Sequence, residues 1–109
     1  MLTKADEFDV ELGELAELAK SLSHPARLAI LKFLAKQDTC ICGDIVEELP
    51  LAQASVSRHL KVLKEAGLIN VTQRGLTSCY CINPEVIGSL RRQFEEFFGS
   101  IELSGPPSC

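Results

Sequence analysis

Four of the five cysteines fall in two identical spacings, Cys40-Ile41-Cys42 and Cys79-Tyr80-Cys81. Thiolates hold soft, thiophilic ions well, and clustering can lower the pKa values of the thiols concerned. Two thiols alone make a weak site, so either pair needs further ligands. Residues two apart in a strand share a face. Cys79 and Cys81 therefore lie side by side if Tyr80 and Ile82 face the core. The alternative for any lone thiol is a small buried hydrophobe. An odd cysteine count with Cys-x-Cys spacing argues against a disulfide framework. Cys109 ends a tail, SGPPSC, that is expected to be mobile.

A second group of residues suits contact with nucleic acid. The net charge is -4, but the charge is unevenly spread. Residues 1–17 carry Asp6, Glu7, Asp9, Glu11, Glu14 and Glu17 against Lys4, whereas residues 53–74 carry Arg58, Lys61, Lys64 and Arg74 against Glu65 alone. A basic segment on an acidic body can meet phosphates locally while the body discourages non-specific adhesion. The alternative is a solvated helix face. No Ser-His-Asp, paired-carboxylate or phosphate-loop arrangement stands out; the two histidines are isolated and the seven glycines scattered. An enzyme is not expected.

These residues need a scaffold, and 109 residues suit one small domain, with an ordered core expected over about residues 10–98. No apolar run approaches the roughly 18 residues of a membrane span, and the acidic start lacks a signal-peptide pattern. A cytoplasmic protein with reduced thiols is expected, with no membrane partner. Helical spacing over residues 9–22 places Leu12, Leu15, Ala16, Ala19 and Leu22 on one side. Pro25 opens a second helix capped by Ser23 or His24, with Leu28, Leu31, Leu34 and Ala35 as its apolar face. Thr39-Cys40-Ile41 is β-prone. A third helix is expected from Gly43 to Leu49, with Ile45, Val46 and Leu49 inward and Pro50 ending it. A fourth spans Gln53 to Ala66, with Val56, Leu60 and Leu63 inward and Gly67 as C-cap. Leu68–Thr72 and Leu76–Ile82 read as a hairpin with Gln73-Arg74-Gly75 at its tip, and Pro84 begins a last helix reaching Gly99.

The predicted class is thus mainly α with a small β-hairpin wing, a winged helix-turn-helix. Burying Val56, Leu60 and Leu63 leaves Ser55, Ser57, Arg58, His59 and Lys61 for the outer surfaces, with Gln53 at the helix start. Arg58 can bond guanine bidentately, the serines can meet bases or phosphates, and Lys61 can meet phosphate. Arg74 on the wing would reach the backbone or minor groove. His59 can equally be a capping or core-edge histidine.

The stretches LAKSLSHPARLAILKFL (18–34), CICGDIVEEL (40–49), ASVSRHLKVLKEAGLI (54–69) and the wing running into YCINPE (80–85), in that order, resemble the ArsR/SmtB family of metal-responsive repressors over about residues 10–98. The resemblance implies a homodimer on double-stranded operator DNA, joined through the first and last helices, where Leu12, Leu15, Leu90, Phe94, Phe97 and Phe98 fit. It also implies an inducer role for Cys40 and Cys42, since family sensors of arsenite, antimonite, cadmium or lead carry Cys-x-Cys there. A third cysteine often follows three residues later, where this chain has Ile45. The His and acidic sensor site of the last helix has no counterpart, as no histidine follows His59.

In winged helices the strand before the third helix pairs with the second wing strand, which would bring Cys40 near Cys79 and Cys81. The expected site is therefore Cys40, Cys42 and one or both of Cys79 and Cys81. Three thiolates suit trivalent arsenic or antimony, the favoured inducers; four suit cadmium, lead or zinc. DNA binding itself needs no cofactor. On a helix, residues two apart diverge, so ion binding would hold or unwind the chain at Cys40–Cys42 and displace the third helix. The rival readings are a thiol-redox or persulfide-responsive repressor of the same fold, and a winged-helix interaction module that senses nothing.

Overall fold

The computed structural model describes residues 8–43, 49 and 51–105. Helix α1 spans Val10–Ser21 and α2 Pro25–Ala35; strand β1 is Ile41–Cys42; α3 spans Gln53–Glu65; β2 is Ile69–Arg74 and β3 Thr77–Ile82; α4 spans Pro84–Gly99. The expected helix at Gly43–Leu49 falls mostly on residues outside the described ones, as do Ile45, Val46, Pro50 and Cys109. Leu49 packs against the core.

Local chemistry sets the helix ends. Asp9 accepts from the Glu11 amide at 2.8 Å and starts α1. The choice between Ser23 and His24 resolves to His24, whose Nδ1 accepts from the Ala26 amide at 3.0 Å while Pro25 takes the first helical position. Asn83 does the same for α4, accepting from the Val86 amide. After α3 the chain closes a paired C-terminal turn: the Leu68 amide reaches the Leu63 carbonyl at 3.0 Å and the Gly67 amide reaches Lys64 at 2.9 Å. This turn holds Gly67 at φ +79°. Its missing Cβ would meet Val86 only at ordinary contact distance, so the constraint is backbone conformation, not space. Gly67→Ala is expected to cost about 1 kcal/mol in a urea melt. An unchanged midpoint would show that the turn tolerates a side chain.

The core joins α2, α3, the sheet and α4 through Ile30, Leu34, Val56, Leu60, Leu63, Leu68, Ile69 and Leu90. Helix α1 lies against α4. Helix α2 buries Ala26, Ile30 and Leu34, while Leu28 is half exposed and Ala35 is exposed. The expected face is thus corrected. Segment 28–35 is apolar nearly all round, so spacing alone does not choose which side turns inward; contact with α3 and β3 does.

The sheet is antiparallel in the order β1-β3-β2. β2 and β3 pair from Ile69↔Ile82 to Arg74↔Thr77, leaving Gly75 and Leu76 as a two-residue turn. Gly75 takes φ +65° at the first turn position, as a type II′ hairpin demands. The tip is therefore Gly75-Leu76. Arg74 ends a strand, and Leu76, expected to begin one, is fully exposed.

Candidate DNA-reading helix and thiol cluster

Helix α3 divides cleanly. Val56, Leu60 and Leu63 are buried, and Gln53, Ser57, Arg58 and Lys61 are exposed. Ser55 and His59 are half-buried. Arg74 is exposed at the end of β2. Among the described residues, Arg58, Lys61 and Arg74 form no ion pair; the pair found is Arg91–Glu95 on α4. Three cations are thus presented to solvent from α3 and the wing, as contact with a polyanion requires. His59 differs from its neighbours. Its Nδ1 accepts from Arg27 Nε at 3.2 Å, and its ring lies 4.3 Å from that of His24. The two histidines, isolated in sequence, are in contact in the fold.

The thiols come together on β1 and β3. Ile41 faces Tyr80 and Cys42 faces Cys79 across the ladder. Cys42 and Cys79 are joined, with Cα atoms 3.9 Å apart, and Cys40 is joined to Cys81 with Cα atoms 4.6 Å apart. Opposed residues of an antiparallel pair share a face, and so do residues two apart, so all four sulfurs occupy one side of the sheet. Ile41, Tyr80 and Ile82 turn to the other side and pack against the core. Cys40 and Cys42 are exposed, Cys81 is half-buried and Cys79 is only 2% exposed. Because the sulfurs are joined in pairs, no free group of three or more metal-ligating side chains stands among the described residues. Reduction would return four thiols to one face, where tetrahedral coordination needs sulfurs about 3.8 Å apart. Residues facing each other across a ladder meet that spacing with small rotations. The donor set fits a soft ion.

Two expectations about this region change. The thiols, expected to be free, are joined in two cross-strand pairs because the β1–β3 ladder sets them opposite one another. Cys42 lies in a strand, not at a helix start, so Cys40 and Cys42 already point the same way. No unwinding is needed to aim both at one centre.

The family profile for bacterial regulatory proteins of the arsR family matches residues 24–71. An uncharacterized HTH-type transcriptional regulator of Methanocaldococcus jannaschii is 34% identical over 82 residues, covering 74% of this chain and 91% of that protein. The chain belongs to the ArsR family. The arsenical resistance operon repressor of Staphylococcus xylosus is 30% identical over 82 residues, covering 75% of this chain and 78% of the relative. A homodimeric winged helix-turn-helix DNA-binding domain from Mycobacterium bovis superposes with a TM-score of 0.64 at 22% identity, covering 98% of this chain and 99% of that one. At that identity the likeness speaks for the fold.

As an ArsR-family member the chain is a transcriptional regulator with a winged helix-turn-helix, and not an enzyme. No helix among its described residues is long and apolar enough to cross a membrane. The ArsR profile takes in α2, β1, α3 and the first half of β2 but stops before β3. Cys40 and Cys42 lie within the matched span; Cys79 and Cys81 lie outside it. Of the residues expected at a dimer contact, Leu90 is corrected: it is 7% exposed within one chain and belongs to that chain's own core. Leu15 and Phe94 are partly packed against that core. Leu12, Phe97 and Phe98 stay exposed; on α4 the Phe98 ring stacks on Phe94 and meets Phe97 edge-on. Arg27 was not singled out in the sequence. An Arg two residues after a helix-opening Pro carries no local sign of a partner 32 positions away.

Proposed function

We propose that this chain is a cytoplasmic, homodimeric repressor whose hold on operator DNA is relieved when a thiophilic metal(loid) engages Cys40, Cys42, Cys79 and Cys81. The observation that carries this reading is the gathering of four thiols from two Cys-x-Cys pairs on one sheet face. Two relatives are named arsenical resistance operon repressors, which supports arsenite or antimonite as inducer. The more accessible Cys40, Cys42 and Cys81 suit a trivalent centre, and Cys79 supplies a fourth thiolate for cadmium or lead.

Each protomer presents one α3 and one wing to a half-site. Gln53, Ser55, Ser57, Arg58 and Lys61 serve as the groove and phosphate contacts, with Arg74 at the flanking backbone, while His59, half-buried and bonded to Arg27, stands behind them. Leu12, Phe97 and Phe98 are the exposed apolar residues that a second copy would cover. A bound soft ion would supply bonds tying β1 to β3. The chain's own part follows from connectivity. Strand β3 is the inner strand of the wing, and β1 leads toward α3, so altering the β1–β3 junction alters the angle between wing and recognition helix. By linkage, the ion weakens DNA binding by the factor that DNA weakens ion binding.

Fluorescence anisotropy tests this with a labelled duplex selected from a random-sequence pool by the reduced protein. Saturating arsenite, antimonite, cadmium or lead is expected to release the duplex, with thiolate-to-ion absorption rising in parallel. The Cys40→Ser/Cys42→Ser double variant should bind DNA normally and ignore the ion. Retained affinity in the wild type at saturating ion would overturn the reading.

The cross-strand joining of the sulfurs favours one second reading. Each Cys pair can give two electrons and two protons to a peroxide, forming one disulfide as the peroxide is reduced to water. Release by peroxide but not by ions would select this reading.

A further inference from the structure

Arg27 occupies a junction that the thiol cluster does not touch. Its Nη1 donates to the carbonyls of Lys20 and Ser21, both at 3.2 Å, at the end of α1. Its Nε donates to His59 Nδ1, also at 3.2 Å, on the second turn of α3. Those carbonyls belong to the last turn of α1, where the helix dipole favours a cation, and the Lys20 carbonyl also accepts from the Ser23 amide and hydroxyl. One guanidinium therefore links the first helix of the chain to the helix that faces DNA. A guanidinium has donors only, so the bond to α3 exists only while His59 Nδ1 is an acceptor. His24 constrains the same space. Its own Nδ1 is committed to the Ala26 amide while its ring lies against that of His59.

We propose that Arg27 is a positioning residue for DNA binding, holding α3 at its docking angle against α1 through the unprotonated Nδ1 of His59. The proposal rests on α3 being the DNA-reading helix. A proton on Nδ1 would set donor against donor and end the link. The groups around His59 oppose that proton: His24 and Arg27 from the start of α2, and Arg58 from its own helix. Desolvation by burial, the largest cause, with His24, Arg27 and Arg58 adding to it, holds the His59 imidazole below its usual range. The acids nearby, Glu14, Glu17 and Glu65, line the cleft between α1 and α3 on the Arg27 side. Since the folded value is depressed, the link is fully present above the ordinary imidazole value of about pH 6.5 and is lost only as pH falls through the lower folded value.

The sign of the pH effect separates this role from a direct contact. A surface histidine facing phosphates would tighten DNA binding as it takes a proton. A positioning histidine loosens it, because only the linked fraction is competent to bind. The test is anisotropy with the pool-selected duplex between pH 7.5 and 5.5. Wild-type affinity is expected to fall across this range, by less than about tenfold at pH 5.5 because the folded imidazole titrates below its ordinary value of about 6.5. His59→Asn, which keeps an acceptor and does not titrate there, should bind at constant affinity. Arg27→Ala should bind weakly at both ends of the range, with little slope. If Arg27→Ala does not fold, the wild-type and His59→Asn profiles still decide. Equal slopes for those two, or tighter wild-type binding at low pH, would overturn the proposal. Failure of the underlying reading looks different: Arg58→Ala would then leave affinity for the duplex unchanged.

Discussion

Arg58→Ala is expected to weaken binding to the selected duplex by roughly 5- to 150-fold, the equivalent of about 1–3 kcal/mol. Arg58 is exposed on the outer side of α3 and has no ion pair among the described residues. Its removal should leave the thermal melt nearly unchanged, because no core contact is lost. The pattern across sequences separates its possible partners. A bidentate bond to guanine predicts that the loss falls on one position of the duplex and that specificity there relaxes. A phosphate contact predicts a uniform loss, with the slope of log affinity against log salt reduced by about one. Lys61→Ala and Arg74→Ala should follow the second pattern. If all three variants bind like wild type, the basic surface of α3 and the wing does not meet DNA.

Leu63→Ala should cost about 2–5 kcal/mol of folding stability. Leu63 is fully buried in the core that α3 shares with its neighbours, and its carbonyl also accepts the bond that closes the turn after α3. Truncation leaves a cavity that helices at both sides cannot easily fill. A domain of this size has only about 5–15 kcal/mol in hand, so the variant should melt roughly 10 °C or more below wild type. DNA binding at low temperature should survive, since no outer residue of α3 changes. The control is Lys64→Ala, one position on and exposed, expected within about 0.5 kcal/mol of wild type. Similar melts for the two would mean that the packing of α3 is not as described.

The periodicity of α3 was readable because its two sides differ in kind: three apolar residues at helical spacing against serines, arginine and lysines. The helix ends at Pro25 and Gly67 were readable or half-readable for the same reason, since each depends on a local bond or dihedral, whereas the Asp9 cap was not anticipated. Helix α2 shows the opposite case. Its residues are apolar on most sides, so the inward face was set by neighbours distant in sequence. The hairpin tip moved because one turn geometry, with Gly75 at the first position, overrode the polarity of Gln73-Arg74. The strand at Ile41–Cys42 is two residues long and exists only through its pairing with β3. Leu90 shows that an apolar residue on an amphipathic helix can belong to its own chain's core while others on that helix stay exposed. The contact between His24, Arg27 and His59 left no mark in the sequence, because its bonds cross between helices and need no special spacing.

The thiol cluster has a topological consequence. Cys42 and Cys79 are 37 positions apart, and Cys40 and Cys81 are 41 apart. All of α3 and β2 lies between them. Any chemistry that joins β1 to β3 through these sulfurs turns the DNA-reading unit into a closed ring, nested twice. Closing a loop of that length restricts the unfolded chain by about 4 kcal/mol in the entropic account, most of it delivered by the first closure. Under the proposed function, the state released from DNA is then the one hardest to unfold or digest. For this regulator, resistance to a protease and affinity for an operator should run in opposite directions.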